Sequence, residues 1–382
     1  MKRILGRDLY HIFEYVKEKK IILYGSGRCA ADVIQKLKCL DLDVAYCVDD
    51  NFDNIVVEKP VHNIYELLLE KEPFYVFIVK NDIQQSTYVL KGLGLEYLDN
   101  YCAFFLAAGK MTLENTFALD PLLGYSMPYE ETQGRGVKIY GDLNTAEHTI
   151  AILGGSTSDP CAYPWKSWGE FLYEKGRSEG KEMAVIVGAV CGYSSSEEFL
   201  KLIRDILPLK PGMVISYSGV NDKVGAQSYV NGYQRTLYER LASLQQGGIY
   251  GLGEANSVCW GVSEHIQSWQ KWIRNQKMMY LLAKENRMDY VAFLQPTVIS
   301  KKRGEKDEAI YLYIEEGEIA NETRHYKKIR QLIERGELEY VVDATGWFDA
   351  TDGFFYDYCH VFEEGNQLIA QKVYEYIFGR ET

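Results

Sequence analysis

In the last two thirds of the chain, short apolar runs alternate with segments of helical periodicity. This alternation restricts the fold more than any other feature. The apolar runs are residues 150–153, 184–190, 213–217, 290–294 and 340–342. Buried strands that alternate with helices are typical of a parallel sheet covered on both faces. Right-handed crossovers would place the loops after these strands along one sheet edge. The pattern predicts an α/β fold: a three-layer α/β/α sandwich with a mostly parallel, flavodoxin-like sheet.

The first hundred residues have a second, smaller α/β pattern. Apolar runs at residues 21–24, 44–48 and 75–79, with a weaker one at 95–98, indicate about half of a doubly wound sheet. The first run leads into the glycine-rich turn Gly25-x-Gly27-x-x-Ala30 and a helical segment, and Asp49 follows the second run. A glycine turn between strand and helix, with an acid about twenty residues on, is the context of a dinucleotide fingerprint.

This region resembles the small Rossmann-like N-terminal domain of some sugar acyltransferases and other polysaccharide-modifying proteins. The resemblance implies a nucleotide or sugar-nucleotide site at four positions, which are Gly25, Gly27, Ala30 and Asp49. The alternative is structural: the glycines merely make a tight turn, and Asp49 caps a neighbouring helix.

Composition excludes some classes of function. The formal net charge of −12 argues against a nucleic-acid partner, because phosphates are neutralised by basic surfaces. No run reaches transmembrane length and the first twenty residues have no signal-peptide core, so we expect a cytoplasmic protein without a membrane span. The eight cysteines are scattered without a Cys-x-x-Cys pair, which indicates reduced thiols. We therefore expect neither a metal site nor a cofactor.

Residues 151–159, Ala-Ile-Leu-Gly-Gly-Ser-Thr-Ser-Asp, join an apolar run to a tight corner that presents Ser156. The apolar residues after this corner recur at helical spacing; they are Trp165, Trp168, Phe171 and Leu172. The pattern predicts strand, turn and helix, with the Ser156 hydroxyl at the mouth of the helix. Unpaired backbone N–H groups at a helix mouth favour an anion above them.

The other predicted strand ends also carry polar or glycine residues. Gly192 follows the second run, Asn221 follows the third, and Asp357 and His360 follow the fifth beyond a loop. Ser195 and Glu198 have the spacing of a capping box for a helix that contains Phe199, Ile203 and Ile206. These residues are therefore expected to converge at one edge of the sheet.

Gly-Gly-Ser156, Gly192, Gly-x-Asn221-Asp and Asp357-x-x-His360, in this order, resemble the blocks of the SGNH hydrolases, also called GDSL-like lipases or acylhydrolases. The chain departs from the GDSL motif at two positions: Gly155 stands in place of aspartate and Thr157 in place of leucine. The resemblance implies an SGNH hydrolase domain at residues 146–382. A connection with an edge hairpin at 109–145 would join it to a Rossmann-like domain at 1–108.

The chemistry of these side chains indicates their roles. A serine hydroxyl needs a base within hydrogen-bond reach, and the His360 imidazole can accept and return a proton near neutral pH. Asp357 can hold the other ring nitrogen of His360. An acyl-transfer oxyanion needs fixed donors, and the Ser156 N–H, the Gly192 N–H and the Asn221 amide supply three.

Other residues compete for these roles. Asp349 and Asp352 lie near His360 in sequence and are alternatives to Asp357, which we prefer for its spacing. Cys191 and Cys359 flank the predicted site as alternative nucleophiles. Because neither thiol has a base placed as well as that of Ser156, we interpret them as small apolar side chains.

Residues 223–288 form a long insertion between the third and fourth runs. It has helical patterns at 233–244 and 266–284, joined by a glycine-rich segment at 247–253. The insertion is interpreted as a lid or substrate wall, or alternatively as a surface excursion without catalytic meaning. Trp260, Trp269 and Trp272 are consistent with stacking on a sugar, and core packing explains them equally well.

The function that follows is hydrolysis of an ester by a serine acyl-enzyme, on a small-molecule or carbohydrate substrate. One alternative uses the same site as an O-acyltransferase, in which a sugar hydroxyl intercepts the acyl-enzyme. Another alternative is a sugar-nucleotide-binding or scaffold protein with a vestigial hydrolase domain. The oligomeric state has no signature in the sequence.

Overall fold

A computed structural model of the chain describes residues 12–38, 40–50, 52, 55–80, 83–104, 118–132, 134–162, 165–223, 266–312 and 314–379. The chain divides into two compact units. The first consists of Met1–Thr116 with Tyr163–Trp165, and the second of Phe117–Ala162 with Lys166–Thr382.

The first unit contains a five-stranded parallel sheet with short helices. In chain order its elements are α1 (Ile12–Tyr15), β1 (Lys20–Tyr24), α2 (Arg28–Lys38), β2 (Val44–Asp49), β3 (Val61–Asn63), a 3₁₀ helix (Ile64–Leu69), β4 (Phe74–Ile78), α3 (Ile83–Gly92) and β5 (Tyr101–Ala103). The strand order is β3-β2-β1-β4-β5, which places β1 at the centre, between β2 and β4. The apolar piece predicted at residues 95–98 is not a strand, since the fifth strand begins at Tyr101.

The second unit begins with a small hairpin and an edge strand. Its first elements are β6 (Ala118–Asp120), β7 (Gly124–Ser126), α4 (Tyr129–Thr132) and β8 (Lys138–Tyr140). The hairpin is formed by β6 and β7, whereas β8 pairs antiparallel with a later strand of the main sheet. A hairpin and a separate edge strand thus lie within residues 118–140, inside the segment 109–145 that was expected to carry an edge hairpin.

The main sheet alternates with helices, as the sequence predicted. Its elements are β9 (His148–Gly154), α5 (Trp168–Ser178), β10 (Met183–Val187), α6 (Ser195–Lys201), a π-helical turn (Leu202–Ile206), a 3₁₀ turn (Leu207–Leu209), β11 (Met213–Ser218), α7 (Val220–Lys223), α8 (Ser268–Glu285), β12 (Asp289–Leu294), α9 (Glu305–Tyr311), α10 (Glu316–Glu334), β13 (Val341–Asp343) and α11 (Glu363–Phe378). The six strands run in the order β13-β12-β11-β9-β10-β8, and every neighbouring pair is parallel except β10 with β8. The predicted mostly parallel α/β/α fold is confirmed.

Alternate residues of the central strands face opposite helix layers. Ala151 and Leu153 lie in one cluster with Met279 of α8. Ile152 faces the other layer, because a Cβ at Gly169 of α5 would lie 3.1 Å from its Cδ1. The period of two along a strand thus produces the three layers, with the sheet buried between them.

The carboxyl ends of the central strands are level with one another. In the ladder of β9 with β11, Gly154 pairs with Tyr217, and in the ladder of β11 with β12, Ser218 pairs with Leu294. The loops that follow these strands therefore begin side by side at one sheet edge.

Part of the long insertion belongs to the helix layer. The helix predicted at 266–284 is α8, where Trp272 is fully buried and donates from its indole N–H to the Ser218 Oγ at 3.1 Å. Trp269 packs against the hydrophobic core cluster that contains Trp272. Core packing, the alternative to sugar stacking, accounts for both residues. The predicted helix at 233–244, the glycine-rich segment at 247–253 and Trp260 lie outside the described residues.

None of the helices in the described ranges combines the length and the apolar character needed to cross a bilayer.

We expect Ile186→Ala to lower the free energy of unfolding of the second unit by about 2–5 kcal/mol, because Ile186 is fully buried in the sheet core and truncation leaves a cavity. Ile203→Ala is the matched control, since Ile203 is 45% exposed, and its effect should stay within about 0.5 kcal/mol. Urea denaturation followed by tryptophan fluorescence measures both. Equal effects of the two substitutions would contradict this account of the core.

Candidate active site

Ser156 lies in a hydrogen-bonded turn directly after β9. The N–H groups of Ser158 and Asp159 donate to the Gly155 carbonyl at 3.0 and 3.1 Å. The prediction that Ser156 sits at the mouth of a helix is wrong, since the next helix, α5, begins at Trp168 with Ser167 as its N-cap. A short turn, rather than a helix, therefore presents the hydroxyl.

His360 and Asp357 lie on a hairpin-like loop between β13 and α11. The loop is closed by an antiparallel bridge between Phe355 and Val361. Asp357 also organises its own turn, because its Oδ1 accepts the backbone N–H groups of Cys359 at 2.9 Å and His360 at 2.7 Å. The carboxylate thus fixes the backbone that carries the imidazole.

The structure brings Ser156, His360 and Asp357 together across more than two hundred residues of sequence. The Ser156 Oγ lies 2.7 Å from the His360 Nε2. The other ring nitrogen, Nδ1, lies 2.6 Å from the Asp357 Oδ2. When the imidazole is neutral and its proton lies on Nδ1, it donates to Asp357 and presents an unprotonated Nε2 to the serine hydroxyl.

Electrostatics favours the charged form of both partners of the His–Asp pair. Burial of the imidazole opposes its protonation, but Asp357 and Cys359 together outweigh burial and hold the pKa of His360 well above its usual value. Burial likewise disfavours the Asp357 carboxylate, but His360 and the two backbone N–H groups lower the pKa of Asp357. The pair is therefore arranged to stabilise an imidazolium.

The three predicted oxyanion donors come from three neighbouring strand ends. Gly192 has a φ of +80°, a conformation that favours glycine, and Asn221 lies on the short helix α7 after β11. Among the described residues, the backbone N–H groups of Ser156 and Gly192 donate to no other group of the protein. The Asn221 Nδ2 donates one hydrogen to the Tyr193 carbonyl at 2.9 Å and has a second hydrogen to offer.

Gly155, one of the two departures from the GDSL motif, lies against Asn221. A Cβ at residue 155 would collide with the Asn221 Nδ2 and lie 3.0 Å from the Tyr193 carbonyl oxygen. Glycine at this position therefore leaves the space in which the Asn221 amide sits beside the nucleophile turn.

The two competing carboxylates accept backbone N–H groups in other turns. The Asp349 Oδ1 accepts the Lys302 N–H at 2.8 Å, and Asp352 accepts the N–H groups of Lys306 and Asp307 at the start of α9. Neither has a hydrogen bond to His360 among the described residues. The geometry favours Asp357, which the sequence spacing had also favoured.

The two flanking thiols are less suited to attack than the serine. The Cys359 Sγ lies 3.8 Å from the His360 Nε2, compared with 2.7 Å for the Ser156 Oγ. Burial raises the pKa of both Cys191 and Cys359, which disfavours the thiolate that a cysteine nucleophile requires. The serine therefore has the better-placed base.

Asp357, Cys359 and His360 are the described residues whose potential ligand atoms cluster closely enough for a metal ion, within 4.8 Å of one another. The two His360 nitrogens already face the Asp357 carboxylate and the Ser156 hydroxyl. The donor set is thus organised as a proton relay.

Two carboxylates to which sequence reasoning gave no role lie beside the oxyanion donors. The Asp159 Oδ2 accepts the Cys191 N–H at 2.8 Å, and Asp222 accepts the Ser195 N–H at 3.1 Å. Both carboxylates are buried. The partners are 32 and 27 residues away in sequence, so no local spacing signals these bonds.

The glycine turn of the first unit gathers the four residues predicted for a nucleotide. Gly25 has a φ of +131° and its N–H donates to the Val48 carbonyl at 2.9 Å, next to Asp49. The Ala30 N–H donates to the Gly27 carbonyl at 3.0 Å. The Asp49 carboxylate accepts the Ser26 hydroxyl at 2.7 Å and lies 3.0 Å from the Lys80 Nζ. Asp49 thus braces the turn, and nucleotide binding stays a prediction.

No family model matches the sequence, and no match among curated proteins was found. The chain is similar to several solved structures. The acetyl xylan esterase AlAXEase is 14% identical, with a TM-score of 0.40 over 60% of this chain and 100% of its own. Axe2, an acetylxylan esterase from Geobacillus stearothermophilus, is 13% identical, with a TM-score of 0.39 over 61% of this chain and 95% of its own. The lipase/acylhydrolase from Enterococcus faecalis is 15% identical, with a TM-score of 0.38 over 61% and 96%.

We expect Gly155→Ala to lower the kcat for p-nitrophenyl acetate by about a hundred- to a thousandfold, because the added methyl group displaces the Asn221 amide donor. Gly317→Ala is the control, since a Cβ at Gly317 meets no atom within 4 Å, and it should leave kcat unchanged. Full activity of Gly155→Ala would contradict the placement of Asn221 in the site.

We expect kcat/KM to rise with pH as His360 loses its proton, because the general base must be unprotonated. Since the pKa of His360 is raised, this rise should occur above pH 6.5, the usual pKa of a histidine. Asp357→Asn removes the carboxylate that raises this pKa, so the rise should move to lower pH while the plateau falls by about ten thousandfold. The pH profile of Asp349→Asn is the control and should match that of the wild type. An unshifted rise in Asp357→Asn would show that Asp357 does not set the basicity of His360.

Proposed function

We propose that the second unit is a serine ester hydrolase of the SGNH type that works through a covalent acyl-enzyme. The observation that carries this proposal is the relay in which the His360 imidazole lies 2.7 Å from the Ser156 Oγ and 2.6 Å from the Asp357 Oδ2. These separations are within the hydrogen-bond reach that a general base needs.

In the acylation step, the Ser156 Oγ bonds to the ester carbonyl carbon while the His360 Nε2 takes the hydroxyl proton. The carbonyl oxygen gains the electron pair, and the donors at Ser156, Gly192 and Asn221 stabilise the negative charge. When the tetrahedral intermediate collapses, the bond to the leaving alcohol breaks and the imidazolium returns its proton to that alcohol. The acyl group remains on the serine.

In the deacylation step, His360 accepts a proton from water as the water oxygen bonds to the acyl carbon. Collapse of the second intermediate breaks the bond to Oγ, and the proton returns to Ser156. Asp357 remains ionised throughout and stabilises the imidazolium at each transfer. The acid is released and the site is restored.

The substrate class is an ester of a small or carbohydrate alcohol. The carbohydrate preference is supported by the resemblance of the first unit to domains of sugar-modifying proteins. The same acyl-enzyme transfers its acyl group to a sugar hydroxyl if that hydroxyl replaces water in the second step. Product analysis with and without an acceptor sugar distinguishes hydrolysis from transfer.

The test is a panel of short-chain acyl esters and acetylated monosaccharides, assayed with wild type and Ser156→Ala side by side. We expect the wild type to release acid, and Ser156→Ala to lose at least about a thousandfold in kcat because the nucleophile is gone. Ser178→Ala is the control, since Ser178 is an exposed hydroxyl in α5, and it should retain full activity.

Turnover that survives in Ser156→Ala would remove the serine mechanism. Complete inertness of the wild type toward the panel would instead favour a vestigial hydrolase unit in a binding or scaffold protein. Acylated acceptor sugar as the main product would identify an acyltransferase.

A further inference from the structure

The loop of residues 191–195 carries Gly192 and is held at three backbone positions by side chains from other strand ends. The Cys191 N–H donates to the Asp159 Oδ2 at 2.8 Å. The Tyr193 carbonyl accepts from the Asn221 Nδ2, and the Ser195 N–H donates to the Asp222 Oδ2 at 3.1 Å. Gly192 therefore lies between anchors on both sides.

The two carboxylates connect this loop to the other two donor-bearing elements. Asp159 lies three residues after Ser156 in the nucleophile turn, and its Oδ1 also accepts the Cys161 N–H of that turn at 2.8 Å. Asp222 directly follows Asn221 in α7. The close approach of Gly155 to the Asn221 amide links the nucleophile turn directly to α7. Each of the three predicted oxyanion donors is thus tied to the other two.

Both carboxylates are expensive to bury. Asp159 is 3% exposed and Asp222 is fully buried. No lysine or arginine of the described residues lies within ion-pair distance of Asp159, and Lys271 is 4.0 Å from Asp222. Burial raises the pKa of Asp159 to about 6 and also raises the pKa of Asp222. A buried charge without a close counter-ion, as at Asp159, lowers stability, and buried charges of this kind concentrate at functional sites.

We propose that Asp159 and Asp222 are positioning residues for the reaction, whose carboxylates hold the 191–195 loop so that the Gly192 N–H faces the oxyanion formed at Ser156. This inference rests on the proposed ester hydrolysis. The carboxylates themselves do not touch the substrate; they act through the backbone of the loop.

The hydrogen-bond partners of the two carboxylates predict different responses to the same substitution. Both partners of Asp159 are backbone N–H groups, so both of its oxygens must accept, and asparagine offers one acceptor. The partners of Asp222 are the N–H and the Oγ of Ser195, and the hydroxyl can accept from an asparagine amide. Asp222→Asn can therefore keep its connection to the loop, whereas Asp159→Asn cannot.

The experiment measures kcat, KM, thermal midpoint and amide hydrogen exchange for Asp159→Asn, Asp222→Asn and Asp222→Ala. We expect Asp159→Asn and Asp222→Ala to lower kcat by about ten- to a hundredfold while KM changes by less than about threefold, since the donor is displaced rather than removed. Asp222→Asn should stay within about threefold of the wild-type kcat. In both defective variants, the amides of residues 191–195 should exchange faster than in the wild type.

The matched control is Asp343→Asn. Asp343 also accepts a backbone N–H and a hydroxyl, both from Thr345, in a turn at another strand end. Its kcat should equal that of the wild type. The thermal midpoint of Asp159→Asn should not fall, because removal of a buried charge offsets the lost hydrogen bond.

Wild-type kcat in Asp159→Asn would overturn the inference for this residue. A loss of kcat that follows a fall in thermal midpoint, without faster exchange confined to residues 191–195, would reduce both aspartates to a structural role. In either case the wild type would still show Ser156-dependent turnover. Absence of that turnover in the wild type would instead defeat the proposed function, and the inference with it.

Discussion

The parallel alignment of β9, β10, β11 and β12 is the constraint on which the rest of the second unit depends. Parallel strands with helical crossovers point their carboxyl ends in one direction, and the register brings Gly154, Tyr217 and Leu294 to similar heights. Ser156, Gly192 and Asn221 follow three of these strands within a few residues. A shift of one strand by a single residue would move its loop and turn its side chains to the opposite face. The geometry of the site is therefore a consequence of the sheet register.

The layer beneath this edge is polar, which is unusual for a sheet core. The Ser216 Oγ of β11 donates to the Glu198 carboxylate of α6 at 2.5 Å and accepts from the Gln276 amide of α8 at 3.1 Å. Burial raises the pKa of Glu198 to about 8. A hydrogen-bonded network of this kind favours one arrangement of its members, whereas apolar packing tolerates several. It fixes α6, and hence the loop that precedes α6, against β11 and α8.

Much of this architecture is readable from the sequence. The apolar runs predicted the five parallel strands of the six-stranded main sheet, and the residues that follow these strands put Ser156, Gly192 and Asn221 at one edge. The element boundaries differ from the prediction: the capping box of α6 uses Ser194 and Glu197, one residue before the predicted Ser195 and Glu198. Both pairs have the same spacing, and the choice between them depends on Asp222, which binds Ser195 from a different strand end. The helix after Ser156 was placed too early because helical spacing does not mark where a helix begins.

The sequence by itself determined the fold class and the candidates Ser156, His360 and Asp357, because strand periodicity and the spacing of Asp357 and His360 are local properties of the chain. Only the tertiary structure decided how the donors are held. The bonds from Asp159 to Cys191 and from Asp222 to Ser195 join residues about thirty positions apart. Such contacts arise when separate strands come into register, and no pattern within one segment encodes the distance between two others.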